Sequence, residues 1–334
     1  MSDSLISIRS VLAKAVRLTP ALMLTAFAGG AHAAPSVVAS IQPIHSLAAQ
    51  VMEGVASPAL LVPPSQSPHS FALTPAQAET LKNADLVVVV GHGLEVHVLP
   101  MAQKLVAADH ILRLDQAEGL TLHSVRADNP LWNQELEGEH AHHDHEHDHD
   151  HAHHDEAIDP HLWLDAQNGI AVLSLIAERL ASIDPANADT YRANAAARIK
   201  RLEKLDAEIE AQLAPLQSPR SNVIPVLPYH DAYQYFEARY GLAGNGFINQ
   251  RPEMNLGAKS AGKLLDMSTE RKINCIFAEP QFNRRLVDKM AARSGAKVKI
   301  IAPDGGALDS GPEAYEQLLR GVADAFADCA GKAD

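Results

Sequence analysis

The chain has 334 residues, enough for one large domain or two of ordinary size, and its 46% hydrophobic content allows a sizeable core. With 28 basic against 41 acidic residues the formal charge is −13, and no Lys/Arg run marks a nucleic-acid partner. An acidic surface suits a soluble protein and does not repel cations.

The N-terminus carries Arg9, Lys14 and Arg17, then the apolar stretch "LTPALMLTAFAGG", too short to span a bilayer comfortably. "AHAAP" follows, with Ala31 and Ala33 as the small residues of a cleavage site. The pattern is that of a secretory signal peptide over residues 1–33, which implies a mature chain from Ala34 in the periplasm or outside; a membrane anchor is the competing reading. The next strand–helix pairs are "SVVASI" with "PIHSLAAQVMEG", "PALLVP" with "TPAQAETLKNA", and "DLVVVVG" with "EVHVLPMAQKLVAA", and "HILRL" is a further strand. Thr74 and Pro75 read as N-cap and first residue of the second of these helices. Strands alternating with helices predict a parallel sheet flanked by helices, an N-terminal α/β lobe over 34–166.

The regularity stops near Gln116. Gly138–Glu156 reads "GEHAHHDHEHDHDHAHHDE", with His140, His142, His143, His145, His147, His149, His151, His153 and His154 among acidic residues. Such a run has too little apolar content to fold alone, so a disordered loop is expected over about 134–157. Exposed imidazoles near pKa 6.5 are mostly neutral at pH 7 and can ligate a metal. The run reads as a low-affinity metal collector or sensor, as a contact for another metal carrier, or as a solvated linker.

Gln167–Pro215 is helical in pattern, a linking segment over 167–218. Ile199, Leu202, Leu205, Ile209 and Leu213 form a stripe at helical spacing, which predicts a helix of about 25 residues, roughly 38 Å long. Alternation then returns over 219–334, a C-terminal α/β lobe. Its strands are "SNVIPVLP", "NCIFAE" and "KVKIIAP"; its helices are "DAYQYFEARYG", "GAKSAGKLLDMST" and "PEAYEQLLRGVADAFADC". Cys275 and Cys329 are the two cysteines; in an oxidising compartment they are expected to pair, closing a loop of about 55 residues, and two buried thiols are the alternative.

In open α/β sheets, ligands bind beyond the carboxyl ends of strands. His69 follows "PALLVP", His230 follows "SNVIPVLP", and His161 in "IDPHLWLD" stands just before the linking segment. Three neutral imidazoles suit Zn2+ with one further ligand, whereas manganese favours carboxylates and copper(I) favours Cys or Met. Asp159, Asp165, Asp231 and Glu279 are candidates to orient these rings from behind, each with a solvated charge or helix cap as the plain alternative.

Together, "SPHSFALTPAQ", "DPHLWLD", "PYHDAYQYFEARYGL" and "NCIFAEPQF" resemble the cluster A-I solute-binding proteins of ABC transporters, and more narrowly their zinc-uptake branch. The resemblance covers essentially the whole mature chain, the acidic histidine run included. It implies two α/β lobes joined by a long rigid helix, with zinc in the cleft between them. It also implies His69, His161 and His230 as ligands, a Cys275–Cys329 disulfide, and delivery to an inner-membrane ABC permease. A histidine at position 230 departs from the manganese and iron members, which carry a carboxylate there. The chain also departs from the family near the fourth ligand: the turn after the last strand reads "APDG", so Ala302 stands where many members have Asp, and Asp304 lies two residues on. Water or Asp304 is then the fourth ligand. A monomer without enzymatic activity is expected. Competing readings are a secreted zinc hydrolase using three histidines and a water, although HExxH is absent, and a carrier of manganese, nickel or copper.

Overall fold

The computed structural model describes residues 33–330 except 92, 128, 130–156, 218–222, 245 and 254–255. The expected signal-peptide residues 1–32 and the nine histidines of the acidic run lie outside the described residues. Among those described, no helix is long and apolar enough to cross a membrane.

The first half alternates as its pattern predicts. β1 (Val37–Ala39), α1 (Gln42–Val51), β2 (Ala59–Leu60), α2 (Pro75–Lys82), β3 (Leu86–Val89), α3 (Val98–Leu105) and β4 (Ile111–Arg113) follow in order. The strands form a parallel sheet, β2-β1-β3-β4. Unbroken apolar runs suit strands covered on both faces, and every residue of β1 and β3 is buried. The helix at Pro75 starts as expected: Thr74 Oγ1 accepts from Gln77 N at 3.3 Å, and Gln77 Oε1 accepts from Thr74 N at 2.9 Å.

The linking segment is a helical hairpin. α4 (Ala166–Ile183) and α5 (Ala188–Leu213) are joined at Asp184–Asn187 and clasped by Arg192, whose Nε and Nη2 reach the two Glu178 oxygens at 2.8 and 2.7 Å. The long helix read from the apolar stripe is α5, 26 residues or about 39 Å. Leu202, Leu205, Ile209 and Leu213 are buried as the stripe predicts, and Ile199 is only half-buried. Arg198 and Asp206 share the buried face, and each is charge-paired there.

The second half holds β5 (Val223–Ile224), β6 (Val226–Pro228), α6 (Gln234–Arg239), β7 (Ala243–Gly244), α7 (Ala258–Glu270), β8 (Cys275–Ala278), α8 (Arg285–Ser294), β9 (Lys297–Ile300) and α9 (Ala314–Cys329). "SNVIPVLP", read as one strand, is two. Pro225 has no N–H to donate and divides it: β5 pairs with β7, while β6 joins the parallel sheet β6-β8-β9. The Pro225 carbonyl still accepts from Asn274 N at 2.8 Å, which sets the register of β8.

The fold is therefore α/β, two main parallel sheets flanked by helices and the small β5-β7 pair, with a long helix joining them. Its last helix turns back: α9 packs on α1 and α5, and Tyr315 N donates to Ser46 Oγ at 3.0 Å. The Cys275–Cys329 disulfide, with Cα atoms 5.6 Å apart, pins the end of α9 to β8. Closing a loop of this length stabilises by up to about 4 kcal/mol in the chain-entropy account.

Candidate metal centre

The carboxyl ends of the parallel strands supply the site. β2 runs into a loop of turns (Gln66 N to Pro63 O at 2.9 Å, Ser70 N to Ser67 O at 3.3 Å) that carries His69. β6 runs directly into His230, whose neighbours are tied down twice: Asn249 N donates to Tyr229 O at 2.9 Å and Asp231 N to Asn249 O at 3.1 Å. His161 precedes the short turn Leu162–Leu164 that leads into α4. Glu279 directly follows β8, and Asp304 lies in the turn after β9.

These three loops bring the ring nitrogens of His69, His161 and His230 within 4.8 Å of one another, the one such group of His, Cys, Asp or Glu among the described residues. His161 and His230 are 4% and 2% exposed, and His69 is half-buried at the mouth. The cavity at the centre measures about 10 Å³, room for roughly one water-sized sphere.

Each buried ring is held from behind by a carboxylate. His161 Nδ1 lies 2.7 Å from Asp159 Oδ1, which also accepts from His161 N at 3.0 Å. His230 Nδ1 bonds Glu279 Oε1, and Gln281 Nε2 donates to the other Glu279 oxygen at 3.1 Å. With Nδ1 engaged, each ring turns Nε2 inward, and the two Nε2 atoms stand 3.1 Å apart. Burial, with the neighbouring imidazoles, pushes His69 and His161 well below the ordinary histidine pKa, so both offer neutral lone pairs. Burial also lowers His230, but Glu279 foremost, with Asp231 and Asp304, outweighs it and raises the group.

The other candidates do different work. Asp165 caps α4 by accepting from Gln167 N at 2.8 Å, and Asp231 pairs with Arg126 at 3.4 Å; neither bonds a site imidazole. Asp304 lines the cleft, but its Oδ1 accepts from Gly306 N at 3.0 Å and it stands outside the group of converging ligand atoms. Burial raises Asp159, Asp231 and Asp304 to about 6.

Further residues escaped sequence reasoning. The Tyr235 hydroxyl donates to Asp159 O at 2.9 Å and accepts from His123 N at 2.9 Å, fixing the His161 arm to α6. Trp163 Nε1 donates to Pro303 O at 2.8 Å, joining that arm to the Asp304 turn. Arg126 bonds Glu237 as well as Asp231. Tyr235 stood inside a quoted motif and could have been flagged; Arg126 had no local signal, because its partners are more than 100 residues away. The segment following the acidic histidine run is anchored beside the site: Val125 N donates to Ala157 O at 2.7 Å and Asp159 N to His123 O at 2.9 Å.

The family model described as zinc-uptake complex component A periplasmic, ZnuA, matches residues 37–329. The high-affinity zinc uptake system protein ZnuA of Brucella suis biovar 1 is 35% identical over 311 residues, covering 89% of this chain and 92% of the relative. That of Haemophilus ducreyi is 34% identical over 293 residues, covering 88% and 92%. A crystal structure of ZnuA superposes with a TM-score of 0.69 at 24% identity, covering 89% of this chain and all of the other. A zinc-bound deletion mutant of ZnuA gives 0.67 at 24% identity over 90% of this chain, and at that identity both structures speak for the fold. A match across nearly the whole described length, with relatives above 30% identity, means that this chain belongs to the ZnuA family of periplasmic zinc-uptake components.

Proposed function

We propose that the protein is the periplasmic component of a zinc importer: it takes up Zn2+ as cargo at His69, His161 and His230 and hands it to an inner-membrane ABC permease. The observation that carries this reading is the convergence of three ring nitrogens on one small cavity, two of the rings backed by buried carboxylates. Three converging neutral imidazoles select zinc over the carboxylate-loving manganese, and no Cys or Met among the described residues of the cleft lining favours copper(I). The names of the relatives support the same cargo.

Water fills the fourth position in this reading, with Asp304 the alternative. Residues 1–33 act as signal peptide, and the exported chain works as a monomer without turnover. Its lobes correspond to 34–166 and 219–334, with 167–218 linking them. The histidines from His140 to His154 collect zinc weakly beside the tight site and offer a contact to another periplasmic zinc carrier. Native mass spectrometry with elemental analysis of the purified protein tests the cargo. One zinc per chain should survive a chelator wash; retention of nickel, copper or manganese in its place would contradict it.

A further inference from the structure

Behind the metal cleft lies a second cavity. Tyr229 and Phe282 stack with ring centroids 5.3 Å apart; Phe282 lines the cleft and Tyr229 lines a groove of about 530 Å³. That volume is in the range of small-molecule sites. The groove opens between the amino ends of α7 and α8, at the carboxyl edge of the sheet β6-β8-β9, where open α/β sheets place ligands.

Its chemistry has two parts. Part of the lining is apolar, with Leu256, Ala261, Leu265 and Leu286. Part is cationic: Arg285 and Lys289 both line the groove, and neither forms an ion pair among the described residues. None of the described lining residues is acidic, on a chain of charge −13. α7 begins at Gly257, which has no side chain to cap its first turn; α8 has only Arg285 N taken, by Asn283 Oδ1 at 3.0 Å. Both amino ends therefore favour an anion. Asn249, 4% exposed, also lines the groove, and its buried Oδ1 has no hydrogen-bond partner. A buried acceptor left unpaired is costly and calls for a donor from an occupant.

We propose that this groove is a second ligand site, for a small organic anion with an apolar body and a hydroxyl donor. The carboxylate lies at Arg285, Lys289 and the helix ends, the body lies on the leucines, and the hydroxyl reaches Asn249. The site is independent of the cargo assigned to the cleft.

Calorimetry on the metal-free full chain tests it with three probes. Mandelate has all three features, phenylacetate lacks the hydroxyl, and benzyl alcohol lacks the carboxylate. The expected result is saturable one-to-one binding of mandelate, several-fold weaker binding of phenylacetate, and at least tenfold weaker binding of benzyl alcohol. Lys289→Glu should weaken mandelate at least tenfold, and Ala261→Leu, which narrows the groove, should weaken it several-fold. Chemical-shift mapping on the unaltered protein guards against variants that misfold: perturbations should centre on Leu265, Leu286 and Asn249. Non-saturating binding, equal affinity for benzyl alcohol, or shifts centred elsewhere would overturn the proposal.

Discussion

His230 and Glu279 show how a buried imidazole is held ready for the coordinating role proposed for it. The carboxylate takes Nδ1 and leaves Nε2 facing the cavity, so the ring is already oriented for the coordination proposed above. Glu279→Gln keeps the shape and removes the charge. It should weaken zinc by about 10- to 100-fold, in the range for partners behind metal-bound histidines, with secondary structure unchanged by circular dichroism. Asp304 makes the opposite case. One of its oxygens is engaged by Gly306 N and it stands outside the converging ligand atoms, so Asp304→Ala should change zinc affinity less than tenfold, or about 1.4 kcal/mol. A larger loss would make it the fourth ligand. The three histidines were legible because each stands in a short motif at a strand end or at the junction. Asp165 and Asp231 looked equivalent to Asp159 and Glu279 in the sequence. Only the folded chain tells a cap and an arginine partner from a support for an imidazole.

Between elements, the linking hairpin is fastened to the second half at Asp206. That α5 carboxylate accepts from Gln167 Nε2 and the Tyr240 hydroxyl, each at 2.8 Å, and from Arg239. Burial raises its pKa, but the bonds from Arg239, Gln167 and Tyr240 outweigh this and leave it below the ordinary value. A lowered carboxylate stabilises where it is ionised. The contribution is present above the unfolded value near 3.9 and is lost as the pH falls through the lower folded value. Asp206→Asn should therefore cost about 2 kcal/mol at pH 7, and the gap from the parent in urea midpoint should close toward pH 3 and below. The segment after the histidine run is held by Val125 N on Ala157 O and by Tyr235 on Asp159 O. Deleting Glu139–Asp155 should leave the tight site intact and remove only weaker zinc, as seen by zinc titration. The α5 stripe and the capping of α2 were readable from spacing and local residue types. The division of β5 from β6 carried a signal in Pro225, and β7, two residues long, carried none.

Across the whole molecule, the strand–helix alternation made the α/β class and both parallel sheets legible. The return of α9 onto α1 was not, because nothing local in an amphipathic helix names the distant surface it will cover. Arg126 is the same problem in a single residue. The central claim is that three imidazoles from three separate loops hold one zinc. Competition titration against a fluorescent zinc chelator tests it most directly, on the intact protein and on His69→Ala, His161→Ala and His230→Ala. The account predicts one tight site in the intact chain and a loss of at least 100-fold, about 2.8 kcal/mol, in each variant. Any one of the three variants binding within threefold of the intact protein would contradict it.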